Sequence, residues 1–116
     1  MRKIKITAGP IEMTATLNDS KAADLLWDAL PASNAARVWG AEIYFPIPMK
    51  MEEDNARAAV PSGTIAFWPP GNAFCIFFGQ TPASPVNVLG TLDGDPKRFA
   101  QVNDGESVSL ERASDD

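Results

Sequence analysis

The side chains with the most chemical potential in this sequence are Glu42, Tyr44, Trp68, Phe77 and Arg37. Glu42 and Tyr44 stand two positions apart, so strand alternation places them on one face. Trp68 joins that face if Ile65 and Phe67 turn the other way, and Phe77 does so if Phe74, Ile76 and Phe78 turn inward. An acid among aromatics outside a core has the composition of a ligand cleft, with apolar walls and few polar anchors. Desolvation there can raise the pKa of a carboxylate and let it act as an acid or a base. Arg37 and Arg57 carry planar forks of donors suited to an anionic or carbonyl group. A competing arrangement pairs Glu42 with Arg37 or Arg57 and packs the aromatics under a helix and a long loop. The arginines are then solvated charges in a weak ion pair.

Other chemistries have little to work with. There is no histidine and a single cysteine, Cys75, set in an apolar stretch. One thiol forms no internal disulfide, and without a positive neighbour it stays an inert, buried group. Ser84 and Thr81 have no histidine to activate them, and the flanking prolines suggest a turn. Metal binding would rest on oxygen ligands alone, and Glu52-Glu53-Asp54-Asn55 lacks the glycine and spacing of a calcium loop. No metal and no cofactor are therefore expected. A net charge of −5 with no cluster of Lys and Arg argues against a nucleic-acid partner. No apolar run approaches the roughly 20 residues that cross a bilayer. Met1-Arg2-Lys3 leads into alternating Ile4-Lys5-Ile6-Thr7, not into an apolar secretory segment. A cytoplasmic, soluble protein without a membrane partner is expected.

The elements that must position these side chains are short. Ten prolines and eight glycines in 116 residues favour turns over long helices. Ile4 and Ile6 alternate with Lys3 and Lys5; after Gly9-Pro10, Ile11, Met13, Ala15 and Leu17 alternate with polar residues. This is a β-hairpin pattern. Asn18-Asp19-Ser20 supplies helix caps, and Ala22, Leu25, Leu26, Ala29 and Leu30 form one stripe that ends at Pro31. The stripe predicts an amphipathic helix of about three turns, laid across a sheet or plugging a barrel end.

Arg37 to Ile47 reads as a strand with Gly40 marking a bulge or bend. Its alternation predicts Trp39, Ala41, Ile43 and Phe45 on the core side and Val38, Glu42 and Tyr44 on the other. Met49 to Arg57 reads as a mobile charged loop, and Ala58 to Val60 as a possible short strand. Thr64 to Trp68, Ala73 to Phe78, Val86 to Leu92 and Ser107 to Arg112 complete the strands. A helical turn falls around Phe99 and Val102, Gly79 to Pro85 is irregular, and the tail from 113 to 116 should fray. About eight strands and one main helix in one domain spanning 1–116 favour an all-β closed barrel, which removes exposed edges.

Two runs carry a family resemblance. One is Arg37-Val38-Trp39-Gly40-Ala41-Glu42-Ile43-Tyr44-Phe45-Pro46-Ile47-Pro48. The other extends from Gly63-Thr64-Ile65-Ala66-Phe67-Trp68-Pro69-Pro70-Gly71-Asn72 through Ala73-Phe74-Cys75-Ile76-Phe77-Phe78-Gly79-Gln80-Thr81-Pro82. Together with the N-terminal hairpin, the Leu30-Pro31 helix end and the Gly90 strand, they resemble the small prokaryotic cyclophilin-like proteins of unknown function. The resemblance implies an eight-stranded cyclophilin-type barrel. The Phe-His-Arg and Phe-Met-x-Gln-Gly-Gly-Asp-Phe segments of authentic cyclophilins do not occur, so the resemblance assigns the role of their arginine to no particular residue here.

The expected function is binding of a small molecule or an extended peptide in an outer-wall cleft of Glu42, Tyr44, Trp68 and Phe77, with Arg37 nearby. The alternative is an atypical peptidyl-prolyl isomerase, implied by fold analogy alone. Either a monomer or a homodimer is compatible, the latter using the exposed aromatics as its interface.

Overall fold

The computed structural model describes residues 2–79, 82 and 84–115. Gln80, Thr81 and Ala83 of the irregular segment, with Met1 and Asp116, lie outside the described residues. Nine strands form one sheet among them. These are β1 (Arg2–Ala8), β2 (Ile11–Leu17), β3 (Ala32–Ala35), β4 (Arg37–Trp39), β5 (Glu42–Pro46), β6 (Thr64–Trp68), β7 (Ala73–Phe77), β8 (Asn87–Leu92) and β9 (Ser107–Asp115). The helix α1 (Lys21–Ala29) follows β2, and short 3₁₀ segments cover Pro69–Gly71 and Pro96–Gln101. The architecture is mainly β, as the sequence predicts.

The strand order is β3-β9-β1-β2-β8-β6-β7-β5-β4. Its two ends, β3 and β4, are consecutive in the chain and separated by Ala36 alone. Ala36 is buried, donates to the Glu106 carbonyl at 2.7 Å and accepts from the Gly105 amide at 2.7 Å. One extended run therefore leaves β9, bends at Ala36 and joins β5, and the sheet becomes a nearly closed barrel. Counted as one bent strand, this run brings the number to eight, although β3 is not among the strands that the sequence pattern predicts. Closure also leaves little free ladder edge for another chain to pair with.

The hairpin β1–β2 turns at Gly9-Pro10, with Ala8 opposite Ile11. Ile4, Ile6, Ile11, Met13, Ala15 and Leu17 all enter the core. At α1 the expected cap is in place: the Ser20 hydroxyl accepts from the Ala23 amide at 3.1 Å, and Asn18 Oδ1 accepts from Ser20. Ala22, Ala23 and Leu26 are the buried helical residues, and they join the barrel interior with Leu30. Inside the barrel, Phe45 and Phe74 meet with ring centroids 5.5 Å apart.

Several sequence expectations need correction. The run from Arg37 to Ile47 is not one bulged strand. Gly40, at φ 59°, reverses the chain, and the ladder pairs Trp39 with Glu42, Val38 with Ile43 and Arg37 with Tyr44. Residues opposite each other in a ladder share a face, so Trp39 stands on the side of Glu42, 51% exposed, while Val38 packs on the core. The tail does not fray before its last described residue: Ser114 pairs with Lys3 and Asp115 with Arg2.

Nor is the segment after β5 an unanchored loop. Met49 is buried, and Asn87, only 1% exposed, binds the segment's backbone, accepting from the Asp54 amide at 2.9 Å and donating to the Glu52 carbonyl at 3.0 Å. Of the strand considered at Ala58 to Val60, only an isolated bridge between Arg57 and Val86 is present.

The Asn87 contacts give a direct test of this anchoring. Asn87→Ala strands two backbone groups and should cost about 1–3 kcal/mol in urea unfolding. Trypsin should then cut faster after Lys50 and Arg57. Unchanged stability and cleavage would show that the segment is held elsewhere.

Candidate functional site

Parity in three neighbouring strands builds the site. On β5, Ile43 and Phe45 face the interior, which leaves Glu42 and Tyr44 on the outer wall. β7 lies between β5 and β6; Glu42 is opposite Phe77, Tyr44 opposite Cys75, and Cys75 opposite Ala66. Trp68 is opposite Ala73 on the same side. These residues belong to a second apolar cluster of Val60, Ala66, Ala73, Cys75, Phe77 and Val86, with Tyr44, Trp68 and Val88 packed against it. β7 is thus buried on both faces, which explains its unbroken apolar sequence.

A cavity of about 220 Å³ opens on this outer cluster. Trp39, Glu42, Tyr44 and Trp68 line it together with Pro82, Ser84 and Val86. The Trp68 indole N–H donates to the Ser84 hydroxyl, which ties the ring to the segment before β8. Gly71 lets the same ring lie against the adjoining turn, since a Cβ there would fall 2.7 Å from its carbons. Both contacts hold Trp68 as a wall of the cavity.

Glu42 is the one carboxylate among the described lining residues. It is 8% exposed, and neither of the two ion pairs among the described residues, Arg2–Asp24 and Lys3–Asp93, includes it. Burial raises its carboxyl above the ordinary value, and the neighbouring Cys75 thiol offsets only part of that effect. Cys75 is itself pushed well up, first by burial and then by the charge and hydrogen bonding of Glu42. A thiol so disfavoured as thiolate is a poor nucleophile, in line with the inert role read from sequence.

Of the residues singled out from sequence, Glu42, Tyr44 and Trp68 converge on the cavity. Phe77 is fully buried beneath this face and is not part of the lining. Arg37 does not reach the cavity; it is exposed and borders a separate depression with Asn34, Pro46 and Asp104. Arg57 lies beside another depression, near Asp19 and Asp54. Neither arginine forms an ion pair with Glu42 among the described residues, so the pairing in the competing arrangement is not adopted, although the aromatics do pack with Val60 of the long segment. Sequence reasoning missed Trp39, Pro82, Ser84 and Val86. For Trp39 a signal existed: two alternating runs joined by two residues beginning with Gly are a hairpin signature. No local pattern points to Ser84 or Val86.

A nearly closed, mainly β barrel with one main helix and an aromatic-walled pocket on its outer face defines the class of this protein. The cyclophilin-like family model matches residues 2–111, and the chain belongs to that family. Among solved structures, the hypothetical protein AF2241 from Archaeoglobus fulgidus is similar at 34% identity and a TM-score of 0.82, with 97% of this chain and 95% of that chain covered. McbB, solved in complex with tryptophan, shares the fold at 21% identity and a TM-score of 0.77; 97% of this chain corresponds to 45% of McbB. No curated protein matches the sequence. Among the described residues, no helix is long and apolar enough to cross a membrane, and no group of metal-ligating side chains comes together.

The raised Glu42 carboxyl makes stability depend on pH with a definite sign. The folded chain holds this proton more tightly than the unfolded chain. The contribution is therefore full below the ordinary value of 4.5 and is lost as pH rises through the raised one. Glu42→Gln should gain stability relative to the parent as urea titrations move from about pH 4 to about pH 8. Parallel curves would contradict a desolvated carboxylate.

Proposed function

We propose that this chain is a binding protein whose outer-wall pocket, formed by Trp39, Glu42, Tyr44 and Trp68, takes a small molecule. One observation carries the reading. An acid is buried to nine-tenths at a cavity walled by aromatics, and no described lining residue is a cation. Burying a charge is unfavourable unless something pairs with it, so such an arrangement persists more readily where a ligand gives it a use. The cavity volume of about 220 Å³ suits a compact ligand better than an extended peptide. Phe77 supports the floor from beneath, and Arg37 is left out of the ligand contacts. Residues 1–116 act as one binding unit in this reading. Prolyl isomerisation is less well supported, because the described lining holds no guanidinium to polarise the imide nitrogen.

Two of the three tryptophans line the pocket. The third, Trp27, lies away from it, with the guanidinium groups of Arg2 and Arg112 at 5.5 and 5.1 Å from its ring. Trp27→Phe therefore leaves emission that reports on the pocket alone. In that background, a library of small aromatic and aliphatic compounds, tryptophan among them, should yield binders that change the emission. Tyr44→Leu should weaken them about tenfold. A library without a binder, together with sedimentation showing a dimer that buries Trp39 and Tyr44, would make this face an interface instead.

A further inference from the structure

The chemistry of the pocket restricts its ligand further. We infer that it selects small organic amines in their protonated, ammonium form. The inference rests on the binding reading above and adds the ligand class.

Four features converge on a cation. Trp39, Tyr44 and Trp68 present three aromatic side chains to one small cavity, and aromatic faces attract ammonium groups through their quadrupoles. The only ionisable group of ordinary carboxylate type in the described lining is Glu42, 8% exposed. An ammonium N–H can donate to its carboxylate, giving a charge-assisted bond inside a desolvated site. Among the described residues no cation forms an ion pair with Glu42, and Arg37 and Arg57 both border other depressions. Binding of a cation would relieve the unfavourable burial that holds the Glu42 carboxyl up.

The same features select against other ligands. An anion would meet Glu42 with no compensating cation among the described lining residues, in a chain of net charge −5. A neutral apolar compound would fit the walls but leave the carboxylate unpaired. The other polar groups of the described lining are the Tyr44 and Ser84 hydroxyls and the Trp39 and Trp68 indole N–H groups, the last donating to Ser84, and none of them is a cation. The cavity volume of about 220 Å³ limits the ligand to an ammonium group on a compact apolar body.

Matched probes of nearly equal shape separate the ligand class from the pocket itself. Benzylamine and benzyl alcohol differ mainly in charge at neutral pH. With the intact chain, heteronuclear NMR titration should show both perturbing Trp39, Tyr44 and Trp68, and benzylamine binding about tenfold more tightly. Glu42→Gln should remove most of that preference, the amine losing far more affinity than the alcohol. Because Trp39 is half-exposed, Trp39→Leu does not threaten the core, and it should weaken the amine more than the alcohol. Equal affinities in the parent, or a preference that survives Glu42→Gln, would overturn the amine assignment while the pocket stands. If neither probe perturbs these residues at millimolar concentration while other compounds do, the amine assignment also fails. If no compound binds there at all, the binding reading fails with it.

Discussion

Two residues, Gly40 and Ala41, decide which side of the barrel wall each of their neighbours occupies. The turn they make sets Trp39 against Glu42 and Val38 against Ile43. Side chains alternate strictly along a strand, so a register slip of one residue would exchange the two faces. Ile43 and Phe45 would leave the core, and Glu42 would enter it without a partner. The observed register is held from the other side as well, where Glu42, Ile43 and Tyr44 pair with Phe77, Ile76 and Cys75 of β7. Every property ascribed to the pocket follows from that parity.

The consequence is an uneven wall. Most of the barrel has one apolar face, turned inward, as expected of antiparallel sheet. Around β7 the outer face is apolar too, and it is covered in part by Val60 and Val86. Glu42 lies at the edge of that cover, far enough in to lose most of its water and far enough out to face a cavity. Its carboxyl is raised by burial, not by a nearby like charge, so an incoming cation can reverse the shift.

Local patterns made much of the fold legible. The β1–β2 hairpin, the cap of α1 and the doubly covered β7 each rest on residues close in sequence. The family resemblance in the runs around Arg37–Pro48 and Gly63–Pro82 pointed to the barrel, and the match over residues 2–111 agrees with it. Misreadings arose where a period survived a reversal or where a contact was distant. Alternation continues through Gly40, so a hairpin looked like a bent strand and Trp39 was placed inside. Asn87 holds the segment at Glu52 and Asp54 from more than thirty positions away, beyond any local pattern. The same applies to Ser84, whose contact with Trp68 follows from the packing of β6 near the segment before β8.

Of the residues expected to form a site, those on adjoining strands of one face came together, and Arg37 did not. Its backbone pairs with Tyr44, yet the exposed side chain borders the neighbouring depression, where Asp104 also lies. Sharing a face is a weaker condition than sharing a cavity. Among the described lining residues there is an acid and no cation, and the proposed preference rests on that imbalance.

A pH titration of the Glu42 side-chain carboxyl by carbon-13 NMR, in the unliganded protein, addresses that property most directly. A midpoint above the ordinary 4.5 is expected, with Cys75 remaining protonated throughout. A midpoint at or below 4.5 would mean that water or a cation already serves the carboxylate, and the pocket would lose its anchor.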